Sequence, residues 1–397
     1  MPLSPPFDTP VFDDIRSYTD AEAQQAFRRI AQSAMLPKLA SFIFPHSDIE
    51  DVRQLLLSQQ NIYQYQHTFM VEFNKQVISN SITHFTYDGL EHIDPSKNYL
   101  FISNHRDIVL DASLMQYIFA TNDIDTTEIS FGANLMSSPL LIDIGRSNKM
   151  FRVERPQGLN GKELYSRLLH LSHYIRYNIT TRRQSVWIAQ RNGRTKDGHD
   201  HTDQGIIKMF SLSHDGHFAD SLSSLHLLPV SISYEWEPCD VLKCIDTYQR
   251  TRNANHSKTK NEDLISIITG ILQPKGNVHI TFCPPVTTDE LHTTYTTLQQ
   301  ANQHIKPSAF HSAIAQLIDR RIISAYRLHA NNYIAADISS NTNHYAAHYN
   351  DRQRNEFHAH LNALVRQHPD MADQLVSLLL DLYANPIRDK QNLSLQK

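Results

Sequence analysis

The residues with the clearest capacity for chemistry are His105, Asp107 and Asp111, which directly follow a short apolar run at Tyr99–Ile102. An imidazole beside a carboxylate can deprotonate an alcohol near neutral pH, because the carboxylate fixes the tautomer of the ring and stabilises the imidazolium that forms. The spacing alone leaves open which aspartate is the partner. The segment therefore predicts a general base that acts on a hydroxyl group.

A base of this kind needs an element that holds it, and the run that ends at Ser103 has the character of a buried strand. In open α/β sheets, reactive side chains lie just past the carboxyl ends of the strands. Short β-prone runs alternate with helical patterns along the chain: His84–Tyr87, Tyr99–Ser103, Glu128–Gly132, Lys149–Glu154, Ser185–Ala189, Leu227–Tyr234 and Val278–Phe282. This alternation predicts an α/β fold with a central, mainly parallel sheet flanked by helices.

Helical patterns dominate both ends of the chain, which predicts helical N- and C-terminal extensions. In the first of these, Ala21–Ala34 and Asp51–Val77 carry apolar residues at helical spacings. The polar residues 251–262 are predicted to form a surface insertion. The predicted regions are a helical N-terminal region at 1–82, an α/β domain at 83–290 and a helical C-terminal region at 291–397.

Composition argues against several classes of protein. The 397-residue chain has a formal net charge of −4 and a pI near 6.6, whereas nucleic-acid binders normally carry a basic surplus. Its three cysteines, Cys239, Cys244 and Cys283, are few and odd in number, so no disulfide framework is expected and a reducing cytoplasm fits. The sequence contains no recognisable signal peptide and no apolar run of about 18–20 residues, so a cytoplasmic protein is expected.

The segment Asn104-His105-Arg106, followed by Asp111, resembles the first block of the glycerolipid acyltransferases, the superfamily that acylates glycerol phosphate and lysophosphatidic acid. In its common form that block reads Asn-His, any four residues, Asp. Here Asp111 comes six positions after His105, one more than usual, and Asp107 lies between them. The apolar residues around Asp111 match the family's context, so we expect Asp111 to be the partner of His105.

Three further segments resemble the family's other blocks and occur in the family's order. They are Met150–Arg155, Trp187–Gly198 and Leu228–Tyr234. The second of them contains the place where the family usually has Glu-Gly-Thr-Arg, and Asn192 stands there in place of the glutamate. The resemblance covers roughly residues 85–240, and its strength lies in the ordered set of blocks, since single short motifs often match by chance.

The resemblance implies an O-acyltransferase of phospholipid synthesis. It would move a fatty acyl group from acyl-CoA or acyl-carrier protein to a hydroxyl of a glycerol-phosphate or lysophospholipid acceptor, with His105 as the base and Asp111 as its partner. Arg155 and Arg194 occupy the arginine positions of the matching blocks, where a guanidinium offers two parallel donors to phosphate. Gly193 would allow close backbone approach beside Arg194. The resemblance implies no metal, and no cofactor other than the acyl donor.

Two alternatives stay open. Asn192 could mark a degraded acceptor site in a non-catalytic relative that binds lipid or acyl-carrier protein. The loop His199–Asp203 alternates histidine and aspartate and could hold a divalent metal, as in a metal-dependent hydrolase. Against the metal, Asp203 is a natural cap for a helix that begins near Gln204. The ordered blocks favour the acyltransferase.

A lipid acceptor requires contact with a membrane, and without a spanning segment we expect peripheral binding at the inner face. The best candidate for the contact is Met35–Phe44, where apolar and aromatic residues cluster around Lys38. The same residues could instead pack the N-terminal helices onto the α/β domain. The exposure of Phe42 and Phe44 distinguishes these possibilities.

Overall fold

The computed structural model describes residues 10–136, 138–154, 160–214, 216, 218–253, 261–301 and 305–395. At its centre is a seven-stranded sheet in the order β1-β7-β6-β2-β5-β3-β4. The strands are β1 (Ile82–Asp88), β2 (Leu100–Ser103), β3 (Glu128–Gly132), β4 (Met150–Val153), β5 (Val186–Ala189), β6 (Leu227–Tyr234) and β7 (Gly276–Phe282). Each overlaps one of the predicted runs.

Among these strands, every neighbouring pair is parallel except β6 and β7. The predicted mainly parallel sheet is therefore confirmed. The strands from β2 to β6 all point one way, so their carboxyl ends meet at one edge, whereas β1 and β7 run in the opposite direction. This edge receives His105 after β2, the loop that begins at Gln190 after β5, and Tyr234 at the end of β6.

The central strand β2 is buried on both faces. Leu100 and Ile102 belong to one apolar cluster, and Phe101 belongs to another on the opposite face. Helices cover both faces, which explains why the strand is a continuous apolar run rather than an alternation of apolar and polar residues.

The helical N-terminal extension is confirmed. Its helices are α1 (Asp20–Ala31), α2 (Leu36–Ile43), α3 (Ile49–Leu57), α4 (Ile62–Tyr65) and α5 (Val71–Ser81). The helical pattern predicted over Asp51–Val77 is divided into pieces. The side chain of Asn61 accepts a hydrogen bond from the N–H of Gln64 and so starts α4, and a π-helical turn at Gln66–Met70 joins α4 to α5.

Helices also connect the strands. They are α6 (Leu110–Thr121), α7 (Pro139–Ser147), α8 (Gly161–Thr180), α9 (Gln204–Ser211), α10 (Phe218–Ser223), α11 (Asp240–Arg252) and α12 (Glu262–Leu272). Of the predicted insertion at 251–262, residues 254–260 lie outside the described part of the chain, as does Arg155.

The helical C-terminal extension is confirmed as well, with α13 (Thr288–Ala301), α14 (Pro307–Ala325), α15 (Ala330–Ser340), α16 (Asp351–Gln367) and α17 (Ala372–Leu395). The last helix presses against the loop that follows β5. At Gly198, where φ is +85°, a Cβ atom would collide with the backbone carbonyl of Leu382 in α17. Only glycine allows this close contact.

Candidate active site

His105 is hydrogen-bonded to Asp111. The Nδ1 atom of His105 lies 3.0 Å from the Oδ2 atom of Asp111. The side chain of His105 is 15 % exposed and that of Asp111 is 1 % exposed, so the pair is sheltered but the imidazole is still accessible. Because Nδ1 faces the carboxylate, Nε2 is the nitrogen left to exchange a proton with a substrate.

Asp111 is held by further donors. Its Oδ2 atom accepts hydrogen bonds from the backbone N–H groups of Arg106 at 2.6 Å and Asp107 at 2.9 Å. Its Oδ1 atom accepts one from the Tyr234 hydroxyl at 2.9 Å. Burial and the nearby charge of Asp111 raise the pKa of Tyr234 well above its ordinary value, so this hydroxyl keeps its proton as a donor. These bonds fix the direction in which the carboxylate faces His105.

The side chain of Asp107 makes different contacts from that of Asp111. Its Oδ1 atom accepts hydrogen bonds from the N–H groups of Val109 and Leu110, both at 2.8 Å, and so it holds the backbone just ahead of α6. Its Oδ2 atom is buried without a hydrogen-bond partner among the described residues and faces Gly270 of α12. The geometry therefore pairs His105 with Asp111, the aspartate that the sequence context favours.

The loop after β5 packs directly against the histidine. The N–H of Thr195 donates to the carbonyl of His105 at 2.7 Å. On β5 itself, Trp187 donates its indole N–H to the Oγ atom of Ser103 at 3.1 Å, and its ring meets the His105 ring edge-on at a centroid distance of 6.3 Å. Because β2 and β5 are adjacent, the sheet brings these two loops together.

Arg106, the residue after His105, belongs to a network of buried charges. The guanidinium of Arg106, which is fully buried, lies 2.6 Å from Asp200 and 3.3 Å from Glu237. Lys243 donates to Glu237 at 2.5 Å and to the carbonyl of Arg106 at 2.7 Å. Burial alone would lower the pKa of Arg106, but the charges around it, led by Asp200, raise it well above its ordinary value. Buried charges persist when they are paired, and this pairing fixes the backbone next to His105.

Arg194 has no such carboxylate. The residue is 9 % exposed, forms no salt bridge within the described ranges, and has an Nη1 atom without a hydrogen-bond partner there. Its charge acts on the Cys239 thiol, whose pKa is raised by burial and by Asp107 and is lowered in part by Arg194. An unpaired buried charge is costly. Next to Thr195, which bonds the His105 carbonyl, this guanidinium is suited to receive an anion.

The other predicted substrate-binding residues are Gly193 and Arg155. Gly193 has a φ of +79°, and no atom of the described residues lies within 4 Å of the place that its Cβ would occupy. The positive φ accounts for the glycine, and the close approach beside Arg194 expected from the sequence stays a prediction. Asn192 is exposed in the same loop. Arg155 lies outside the described residues.

The loop His199–Asp203 is held in place by hydrogen bonds to neighbouring helices. As predicted, Asp203 caps α9, with its carboxylate accepting a hydrogen bond from the N–H of Gly205 at 2.8 Å. Thr202 donates from its N–H and its hydroxyl to Asp319 of α14, at 2.7 and 2.6 Å. The carboxylates of Asp200 and Asp203 thus have structural partners.

Sequence reasoning missed several residues of this site. Tyr234 ends the buried strand β6, and only the strand order places it beside the loop after β2. Glu237 and Lys243 follow that strand in the chain. No local sequence pattern predicts their contacts with Arg106. Gln190, directly after β5, is fully buried, and neither polar atom of its side chain has a partner in the described part of the chain.

The segment considered for membrane contact is half-buried. The ring of Phe42 packs on Phe73 at a centroid distance of 5.9 Å, and Phe44 meets Phe69 edge-on at 5.3 Å. Larger apolar exposure occurs on α12, at Leu264 (47 %), Ile265 (51 %), Ile268 (45 %) and Leu272 (58 %). Within the described ranges, no helix has the length and apolar character to cross a membrane.

The site thus consists of a His–Asp pair and a buried arginine at the carboxyl edge of an α/β sheet. Residues 84–233 match the family model described as Acyltransferase. This part of the chain, which contains His105, Asp111 and Arg194, therefore matches the acyltransferase family, as the resemblance of its sequence blocks predicted.

Two other comparisons add little detail. A search of curated proteins finds no significant match. A similar solved structure is the 1-acyl-sn-glycerophosphate (LPA) acyltransferase PlsC from Thermotoga maritima, with 14 % sequence identity and a TM-score of 0.34. That similarity covers 77 % of this chain and 97 % of the other.

Proposed function

We propose that this chain transfers a fatty acyl group from a thioester, acyl-CoA or acyl-carrier protein, to a hydroxyl of a glycerol-phosphate or lysophospholipid acceptor. Two features support the proposal: the acyltransferase family match over residues 84–233 and the hydrogen-bonded pair of His105 and Asp111 within it. An acceptor hydroxyl is a poor nucleophile until a base removes its proton as it attacks.

In this mechanism, His105 Nε2 takes the proton of the acceptor hydroxyl while the oxygen attacks the thioester carbonyl. The tetrahedral intermediate then collapses, the carbon–sulfur bond breaks, and the imidazolium returns its proton to the departing thiolate. An ester and a free thiol result, and no acyl-enzyme forms. Asp111 stabilises the imidazolium during the cycle, and the Tyr234 hydroxyl keeps Asp111 in position.

The observation that carries the acceptor assignment is the buried guanidinium of Arg194, which lacks a carboxylate partner among the described residues. A phosphate on the acceptor would supply the missing charge through parallel hydrogen bonds. Arg155 is proposed as a second phosphate ligand on the basis of the sequence resemblance. The open space at Gly193 leaves room for the acceptor beside Arg194.

Thioester consumption by the purified full-length protein tests the proposal. We would combine palmitoyl-CoA or palmitoyl-carrier protein with glycerol 3-phosphate or lysophosphatidic acid, and identify the acylated product by mass spectrometry. Wild type is expected to form product, and His105→Ala to lose activity by about a hundred- to ten-thousand-fold with its fold intact. Turnover of the folded variant within a few-fold of wild type would contradict the mechanism.

A non-catalytic relative is the second candidate, because Asn192 replaces the glutamate of the family's block. A neutral amide can hydrogen-bond a hydroxyl but carries no charge. We expect an active wild type and a changed acceptor preference in Asn192→Glu. A wild type inactive on every acceptor, together with activity in Asn192→Glu, would favour the degraded site. A metal-dependent hydrolase has less support, because Asp200 and Asp203 serve the fold.

Peripheral contact with the inner face of the membrane is part of the proposal, since the acceptor or product is a lipid. The apolar face of α12, defined by Leu264, Ile265, Ile268 and Leu272, is better exposed than the aromatic rings of α2. The same helix contacts the segment between His105 and Asp111, where Gly270 faces the carboxylate of Asp107. Contact at this face would bring the site to the lipid surface.

A further inference from the structure

Two histidines of the loop after β5 and one aspartate of the last helix come together outside the His105–Asp111 pair. His199, His201 and Asp389 each offer one ligand atom, and these atoms all lie within 4.8 Å of one another. The buried side chain of Asp200 is bonded to Arg106, whereas His199 is half-buried and His201 is exposed. The proposed acyl transfer uses none of these three residues.

The ligand atoms of the cluster are close enough together to form a transition-metal site after a small side-chain movement. Zinc binds histidine nitrogen and carboxylate oxygen at about 2.0–2.2 Å in a tetrahedral arrangement, which places neighbouring ligand atoms roughly 3.3 Å apart. The Nδ1 atom of His199 already lies 2.8 Å from the Oδ1 atom of Asp389. The ring of His201 stacks on that of His199 at a centroid distance of 5.5 Å. Side-chain rotation of the exposed His201 would complete the ligand set.

A second carboxylate lies behind His201. The Oδ2 atom of Asp319 is 3.9 Å from the Nδ1 atom of His201, and its other oxygen is held by Thr202. Metal-binding histidines usually have a carboxylate or carbonyl at the second ring nitrogen, which orients the ring. Imidazole with carboxylate is a donor set that suits zinc and related divalent metals better than magnesium or calcium.

We propose that His199, His201 and Asp389 bind a divalent transition metal, zinc by preference, and that this metal fastens α17 to the loop after β5. The two elements already meet there: the amide of Asn385 in α17 donates to the carbonyl of Asp197 at 2.6 Å, and Gly198 packs against Leu382. The metal would stabilise the fold and take no part in acyl transfer. This inference is independent of the proposed function.

The test uses full-length protein without a polyhistidine tag, because the chain has 23 histidines and a tag would add a competing site. Metal-stripped protein is titrated with Co²⁺, whose visible absorption reports tetrahedral coordination, and its melting temperature is measured with Zn²⁺ and with EDTA. Wild type should bind one high-affinity equivalent and melt higher with Zn²⁺. His201→Ala, at a side chain that is 62 % exposed, should fold normally and lose that equivalent.

His46→Ala, at another exposed histidine, is the matched control and should behave as wild type. Asp389→Asn keeps a hydrogen-bond acceptor for His199 but should lose the tetrahedral Co²⁺ spectrum. Asp319→Asn should weaken Co²⁺ binding by about 10- to 100-fold, as expected for a residue that orients a ligand. Equal Co²⁺ titrations of wild type and His201→Ala would overturn the proposal and leave His199 and Asp389 as an ion pair only.

Discussion

Tyr234 and Asp111 lie 123 positions apart in the chain, yet the hydroxyl of Tyr234 donates a hydrogen bond of 2.9 Å to the Oδ1 atom of Asp111. The tyrosine is buried at the end of β6, the neighbour of β2 in the sheet. The other carboxylate oxygen faces His105. One strand therefore holds the histidine, and the next strand holds the partner of that histidine in place.

The first prediction tests this relationship. Tyr234→Phe removes the hydroxyl and keeps the ring, so Asp111 loses a charge-assisted bond worth about 1.5–3 kcal/mol. We expect kcat to fall roughly 10-fold or more through poorer orientation of His105, with little change in KM. Steady-state kinetics measure both. Tyr174→Phe, which removes a similar buried bond to Glu128, is the control, and an equal loss of kcat there would mean that the effect is general destabilisation.

The second prediction separates the two aspartates. Asp111→Asn cannot stabilise an imidazolium as a carboxylate does, and we expect kcat to fall by about a hundred- to ten-thousand-fold. Asp107→Asn keeps an amide oxygen for the N–H groups of Val109 and Leu110 and should stay within a few-fold of wild type. Kinetics and circular dichroism of both variants check this. Comparable losses in the two variants would refute the assigned roles.

The third prediction concerns Arg194. Replacement by lysine or methionine should raise the KM for the acceptor by about 10- to 100-fold, because a bidentate charged contact is lost, and should leave the KM for the thioester unchanged. Arg191→Ala, in the same loop, is the control. Because an unpaired buried charge destabilises a protein, Arg194→Met should melt no lower than wild type. A lower melting temperature with unaltered acceptor kinetics would make Arg194 structural.

Much of the fold follows from local sequence, because each strand is a short run rich in β-branched, aromatic and other apolar residues. All seven strands could be placed in this way. The helical pattern at Asp51–Val77 predicted helix but not its interruptions, because apolar spacing continues across a break marked by a single capping side chain, Asn61.

The site was predictable where a motif is contiguous, as at His105 and Asp111. It was not predictable where residues meet through the sheet order, as Tyr234 does with Asp111. The positive φ of Gly193 was not predictable, because a sequence does not reveal the sign of φ. That Arg194 has no carboxylate partner among the described residues is visible only in the folded structure.

The fourth prediction concerns stability. Glu237→Gln leaves Arg106 and Lys243 buried with one negative charge fewer, and breaking a buried charge pair typically costs about 3–5 kcal/mol. We expect a lower free energy of unfolding in urea, together with reduced activity, because the network supports the backbone at His105. Glu290→Gln is the comparison, since its ion pair with Arg321 is partly exposed and such pairs contribute about 0–1 kcal/mol. Equal effects of the two changes would contradict this account.

The last prediction concerns the membrane. The apolar face of α12 offers side chains that are free to enter a lipid headgroup layer, whereas Phe42 and Phe44 already pack on Phe73 and Phe69. Each apolar side chain that becomes fully buried contributes about 1.5–3 kcal/mol. The double change Ile265→Ser and Ile268→Ser should therefore reduce flotation with anionic liposomes without lowering the melting temperature.

Phe42→Ser and Phe44→Ser should instead lower the melting temperature, because their rings contribute to packing between helices. Val365→Ser on α16, at a similarly apolar and 38 % exposed position, is the control for loss of surface hydrophobicity and should float as wild type does. If the α12 variant also floats as wild type does while the α2 variants stay folded and detach, the contact belongs to Met35–Phe44. That outcome would support the membrane-binding segment that the sequence predicted.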